Sequence, residues 1–364
     1  MIDILRDLIA INSVNPSLVP GGAGEGDIAR YIAVKLRAMG IDAVIEEAAP
    51  RRTNVIGVID GPGPSLMLCG HSDTVGVEGM SAPFDPVERD GRMYGRGSQD
   101  MKGGVAAILG AAQQLVAQRE RKRKIVIAIV ADEEYMSIGA ESLVKTWSAD
   151  AAVITEPTDL MIGIGHKGFE WVEIVTEGVA AHGSRADDGV DAIAHMGRVL
   201  ARFEELDRSF HARAHPLLGR PSLHASLISG GRELSTYPDR CTLQVERRTV
   251  EGEPPEILRD ESEAILDALR ADDPKFRATA KFLFTRSPYV TPREHPLPDV
   301  LRHITKKETG AMTFWTDAAI LGGAGIPTVV FGPGGAGLHG IDEYVRIDEV
   351  VACRDALVRL ANEL

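Results

Sequence analysis

Apolar residues at Ile2, Ile4, Leu5, Leu8 and Ile9 fall close to helical spacing and predict a short opening helix. Residues 12–24 are rich in Pro, Gly, Ser and Asn and predict a loop. Helical spacing returns at Ile28, Ile32, Leu36 and Met39, with Gly40 placed to close the turn. Strands are expected over 41–45 and 54–59, then over the short apolar run that ends in Gly70-His71-Ser72-Asp73. A longer helix is predicted from Met101 to Gln118, because Val105, Ile108, Leu109, Ala112, Leu115 and Val116 share one face. Residues 125–130 and 151–155 are continuously apolar, the pattern of strands buried on both sides. Helices alternating with buried strands predict an α/β domain with a mostly parallel sheet and helices on both faces.

The pattern changes after Gly168. Residues 169–177 alternate like a half-exposed strand, 191–206 are helical, 222–228 and 241–248 strand-like, 255–269 helical, and 277–284 strand-like again. That order, β-α-β-β-α-β, describes a ferredoxin-like α+β unit. The buried-strand pattern resumes at Pro327–Phe331, and a last helix is expected over about 347–360. The chain therefore reads as one α/β domain, residues 1–168 and 286–364, interrupted by a smaller domain over 169–285.

A length of 364 residues agrees with two domains. Lys and Arg total 40 against 53 Asp and Glu, a net charge of −13, which argues against nucleic acid or an anionic membrane as partner. The one basic run, 119–124, is broken by Glu120 and reads as a solvated link. Cys69, Cys241 and Cys353 are far apart, so no disulfide framework is expected and a reducing compartment fits. No run of 18 apolar residues occurs, and Asp3 and Asp7 fall where a signal peptide has a basic start and an apolar core; a cytoplasmic location is expected.

In open α/β sheets, sites form beyond the carboxyl ends of the strands. Here those positions carry His71 and Asp73, Glu133 and Glu134, Glu156, and His339, and Asp100 joins them from a glycine-rich turn (95–100). Histidines and carboxylates without cysteine suit zinc, with cobalt or manganese as weaker options. A single catalytic zinc takes about three protein ligands, whereas five with one bridging would serve two ions. The Glu133-Glu134 pair invites a division of labour, one carboxylate on metal and its neighbour free as general base. Each residue also has a plainer reading: a solvated loop for Glu133-Glu134, a helix N-cap for Asp100, turn chemistry for Glu156 before Pro157. Those readings weaken together, because all the candidates fall on one edge of one sheet.

Residues 68–75, GRGSQDMKGG (95–104), ADEE (131–134), TEPT (155–158), AHGS (181–184) and GLHGIDEYV (337–345) resemble the acetylornithine deacetylase, succinyl-diaminopimelate desuccinylase and aminoacylase family of di-zinc metallohydrolases. The resemblance spans nearly the whole chain and is nearest to the acetylornithine deacetylase-like members. It implies two Zn²⁺ per chain, with Co²⁺ as substitute, bridged by Asp100. His71 and Glu156 would complete one ion, and Glu134 and His339 the other. Glu133 would be general base toward a metal-bridging hydroxide, and Asp73 would orient His71. The peptide after Asp100 would be cis. The substrate would be an N-acyl amino acid. The inserted domain would act as lid and pair the chain into a homodimer, with His182 donating to the oxyanion in the partner's site. Read alone, His182 is also a plausible surface histidine at a strand end. Arg248 is the candidate clamp for a substrate carboxylate, with Arg247 beside it left open. The chain has Ser235-Thr236-Tyr237-Pro238 where the commonest family form has Asn-x-Ile-Pro.

Other readings remain at this stage. Desuccinylases and dipeptidases or carboxypeptidases share the family's motifs. Gly332, Gly334 and Gly337 satisfy G-x-G-x-x-G after a strand, as a dinucleotide-binding enzyme needs, although no helix is expected to open at the third glycine. A non-catalytic binder on this fold would be expected to have lost Glu133 or a ligand, and all are present.

Overall fold

The computed structural model describes all 364 residues. Met1–Gly165, Thr291–Met312 and Thr316–Leu364 form one unit; His166–Val290 and Thr313–Trp315 form the other. The inserted unit thus starts and ends a few residues outside the 169–285 read from the sequence. Its outlying segment joins it through Trp315, whose ring meets Phe169 edge-on at 6.2 Å and whose indole N–H donates to Ser287 O at 3.1 Å. Nothing in the local pattern signals that attachment.

At the centre of the first unit, strands Ile125–Val130, Leu66–His71, Ala151–Ile154 and Thr328–Val330 lie in that order, all parallel. Each is buried along its whole length, which is why each reads as a continuous apolar run. Antiparallel strands extend the sheet on both sides, Arg52–Ile59 and Asp42–Ala49 on one and Ile162–His166 on the other. Alternate residues divide between the faces. Leu66, Leu68, Ile125, Ile127 and Ile129 share one core with helices Ile2–Ala10, Gly26–Ala38, Gly103–Val116 and Ile347–Glu363. Met67, Cys69, Val126 and Ala128 point the other way and are equally buried. Helices Ile138–Thr146 and Ala318–Gly323 pack on each other and on strands of the sheet.

The long helix begins at Gly103, two residues later than its periodicity suggests. The preceding turn, Ser98–Lys102, is broken by non-helical backbone at Asp100 and Met101, and the peptide joining them is cis. Asp100 is therefore not the N-cap of that helix. A Cβ on Gly104 would lie 2.2 Å from the Thr155 carbonyl oxygen, so only glycine lets the helix start pack on that strand end.

The glycine-rich run after Phe331 is not a dinucleotide loop. Gly335–Ala336 is a short strand paired with Tyr344–Arg346, and a turn follows where a helix would have to open. The Gly334 N–H donates to the Glu349 carboxylate at 2.7 Å, which removes a donor that a pyrophosphate would need.

The inserted unit is a four-stranded antiparallel sheet in the order Ser222–Gly230, Arg240–Thr249, Gly168–Glu177, Arg277–Arg286. Helices Ala192–Ser209 and Ile257–Asp272 cover one face around Val172, Ile174, Leu243, Val245, Phe203 and Leu266. This is the ferredoxin-like arrangement, with every second strand residue directed to the uncovered face. No helix is long and apolar enough to cross a membrane.

Candidate metal centre

His71 closes its strand with its ring buried. Its Nδ1–H donates to the Asp73 carbonyl at 3.1 Å, which turns Nε2 toward a group of acids. Nε2 lies 3.1 Å from Asp100 Oδ1, 3.6 Å from Glu156 Oε1 and 3.9 Å from Glu133 Oε2. The other oxygen of Asp100, Oδ2, is 3.3 Å from His339 Nε2, which is also 3.3 Å from Glu134 Oε2. Two ligand-capable groups result, His71–Asp100–Glu156 and Asp100–Glu134–His339, the donor atoms of each within 4.8 Å of one another. Asp100 belongs to both.

The Asp73 carboxylate does more than face His71, from which its Oδ1 stands 3.5 Å away. It accepts the backbone N–H groups of Glu133 and Glu134 at 3.2 and 3.3 Å and Asn15 Nδ2 at 2.8 Å. It therefore ties the turn bearing both glutamates to the end of the His71 strand. Behind it, Asn15 also donates to Asp132 at 2.9 Å, and Arg52 bridges Asp132 and Glu25 at 2.8 and 2.6 Å. A second anchor is Glu343. One of its oxygens accepts from Arg96 at 2.6 Å and Gly97 N–H at 2.9 Å; the other accepts from Gln99 and Asp100 N–H at 2.9 and 3.1 Å. Arg96 also donates to Gly340 O at 3.0 Å, so this buried pair fastens the Asp100 turn to the loop after His339. Removing one partner of a buried pair costs ~3–5 kcal/mol, enough to loosen both loops.

Asn15, Arg52, Glu25 and Glu343 were not singled out in the sequence. Glu343 lies within the GLHGIDEYV motif, where only His339 carries an evident metal-ligand chemistry. Asp317 was missed as well; it is buried, and its charge acts on Glu133, Glu156 and Cys69.

Burial of several acids together dominates the electrostatics, and their mutual repulsion adds to it. Burial, reinforced by Asp100, pushes Glu134 up to about 7. Burial likewise lifts Glu156 to about 7, against the pull of His71. Glu133 is held well above the carboxylate range by burial and by Glu156. Burial opposes ionisation of Asp100, yet its bonds to His339 and His71 keep it well below its ordinary value. His339, bonded to Asp100 and Glu134, rises to about 10. Divalent cations would relieve this repulsion and take over the role of the ring protons. Glu134 Oε1 and Glu156 Oε1 are buried with no hydrogen-bond partner, a costly state for a carboxylate oxygen unless a cation meets it. The nitrogen and oxygen donors, with Asp100 shared, fit a two-ion centre.

The remaining candidates lie in the inserted unit. His182 is exposed and belongs to neither ligand group. Its Nδ1 lies 2.8 Å from Ser184 Oγ and 3.2 Å from the Ser184 backbone nitrogen, and neither contact involves Nε2. The Ser235–Pro238 stretch runs beside it, with Gly183 N–H donating to Ser235 O at 2.7 Å and Tyr237 N–H to Ala181 O at 2.9 Å. Arg247 points into the helix-covered core, fully buried and paired with Glu253 at 2.6 Å and Glu261 at 2.8 Å. Arg248 points to the uncovered face, partly exposed, with Nε bonded to Glu246 at 2.7 Å. Of the two arginine side chains, Arg247 is fully buried and Arg248 keeps 32% exposure.

Residues 67–363 match the profile of peptidase family M20/M25/M40. The chain belongs to this family. This M20 hydrolase is 30% identical over 349 residues to the acetylornithine deacetylase of Myxococcus xanthus, covering 90% of each chain. Its fold is that of the aminopeptidase PepT from Bacillus cereus, with a TM-score of 0.81 at 16% identity over 100% of this chain and 97% of the other. It also matches YxeP of Bacillus subtilis, a dinuclear metal-binding peptidase of the M20 family, with a TM-score of 0.75 at 17% identity over 99% and 96% of the two chains.

Proposed function

We propose that this M20 hydrolase removes the acyl group from an N-acyl-α-amino acid with the help of two zinc ions, the reaction type named for its acetylornithine deacetylase relatives. The observation that carries the reading is Asp100, whose two oxygens face separate histidine–carboxylate groups. A bound pair of divalent ions would supply Lewis acidity, acidifying water toward neutrality and polarising the scissile carbonyl. The protein's own residues perform the proton transfers. Glu133 lies in neither ligand group, yet its Oε2 stands 3.9 Å from His71 Nε2, a placement that suits a general base taking a proton from water and then giving it to the leaving amine nitrogen. Asp73 holds the backbone of Glu133 in place through that residue's N–H. Arg248 would grip the substrate carboxylate with its two terminal nitrogens, since Nε is engaged by Glu246.

The second part of the proposal is a homodimer through the inserted unit, in which His182 of one chain donates from Nε2 to the oxyanion in the other. The edge strand Ser222–Gly230 supports this. It is exposed over most of its length, with Leu227 and Ile228 at 66% and 57%, and an unpaired apolar edge is a template for pairing.

The test is a panel of N-acetyl amino acids, N-succinyl amino acids and dipeptides, assayed with zinc or cobalt. Fastest release from N-acetyl amino acids, abolished by a chelator, is expected. Cleavage of dipeptides alone, or activity indifferent to chelation, would overturn the proposal.

A further inference from the structure

The geometry points to a large apolar or aromatic side chain on the amino acid whose carboxylate Arg248 holds, an inference that rests on the N-acyl amino acid reading above. The uncovered face of the inserted sheet presents two cross-strand rows in register. One runs Arg286, Phe169, Arg248, Ser222, and the next runs Phe284, Trp171, Glu246, His224. Neighbouring residues on one face of a strand stand about 7 Å apart, so the second row begins where a substrate side chain would reach. Its rings already form a cluster: Phe169–Trp171 at 5.2 Å, Trp171–Phe284 at 5.5 Å and Phe169–Phe284 at 6.0 Å. Trp171 remains 37% exposed and Leu283 38%. Both line a cavity of about 250 Å³ with Gln244, Glu246 and Ser226, room for a side chain rather than a whole substrate.

Arg248 ties this patch to the carboxylate site, because its guanidinium lies over Phe169 at 5.3 Å. A carboxylate held by that guanidinium brings the substrate Cα beside Phe169 and its side chain toward Trp171 and Phe284. Aromatic rings there favour an offset or edge-on ring and large aliphatic groups.

The charges disfavour a cationic side chain. Glu246 is the one acid in the two rows, and both its oxygens are engaged, Oε1 by Arg248 Nε at 2.7 Å and Oε2 by Trp171 Nε1 at 2.9 Å. Arg286 also stacks its guanidinium on Phe284 at 4.6 Å. Along these two rows an ornithine-type ammonium would meet the Arg248 guanidinium and no unengaged carboxylate; Glu173, in the row beyond, accepts from Gln244 Nε2 at 3.1 Å. The chain thus departs in side-chain preference from the reaction named for its acetylornithine deacetylase relatives.

The test compares kcat/KM of the metal-loaded, full-length enzyme on N-acetyl-L-phenylalanine, N-acetyl-L-leucine, N-acetylglycine and N-acetyl-L-ornithine. The phenylalanine derivative is expected to exceed the ornithine derivative by at least about tenfold, the scale on which pocket contacts discriminate. Trp171→Ala should narrow the phenylalanine-to-glycine ratio, chiefly through KM. The wild-type comparison stands without any variant. Ornithine equal to or better than phenylalanine would overturn the inference and leave the N-acyl amino acid reading intact. A phenylalanine-to-glycine ratio unmoved in folded Trp171→Ala would also overturn it. Failure to hydrolyse any of the four would remove the parent reading and this one together.

Discussion

Glu133→Ala is expected to lower kcat by about 10²–10⁴ while metal content stays at the wild-type level. Glu133 lies outside both ligand groups, yet its partly buried carboxylate stands 3.9 Å from His71 Nε2 and its backbone N–H is held by Asp73. Truncation therefore removes the proton carrier and leaves the ligands standing. Glu134→Ala is expected to behave differently. Glu134 Oε2 faces His339, and without it that group keeps only Asp100 and His339. Metal should then be lost first, with activity following and partly restored by excess zinc. Turnover and elemental analysis on the same preparations separate the two effects. Equal metal loss in both variants would show that the neighbouring glutamates do not divide the work.

His182→Ala is expected to cost about 10²–10³ in rate, the usual cost of losing one oxyanion donor. If His182 acts in the partner's site, the loss can be complemented. An inactive Glu133→Ala chain retains His182, and an inactive His182→Ala chain retains Glu133. After subunit exchange at equal concentration, half the dimers are mixed and each has one intact composite site. Activity should recover toward roughly a quarter of wild type. No recovery after demonstrated exchange would confine His182 to its own chain's site or remove it from catalysis.

The parallel core strands were legible because burial on both sides leaves an uninterrupted apolar run, as in residues 125–130. The inserted unit was legible from the opposite sign, strict alternation. That alternation also separates Arg247 from Arg248: Cys241, Leu243, Val245 and Arg247 share the buried face, and Arg248 falls out of phase with them. His71, Glu134 and Glu156 could be found because each sits at or just beyond a strand end, a position that sequence reveals. Asn15, Arg52 and Glu25 could not. They come from a loop, a strand start and a position just before a helix, and they acquire their partners only when the chain folds. Glu343 likewise reads as a surface acid until Arg96 and the 97–100 amides surround it. The helix start slipped to Gly103 for a related reason. The periodicity of Val105 to Val116 says nothing about a turn bent to aim Asp100 at two histidines.

The central claim is that Asp100 joins two metal positions. The direct measurement is metal content per chain by elemental analysis, on protein purified without chelator and on stripped protein reloaded with zinc or cobalt. Saturation near two equivalents, with activity following the bound metal, is predicted. Saturation at one equivalent with full activity would contradict the shared-carboxylate centre.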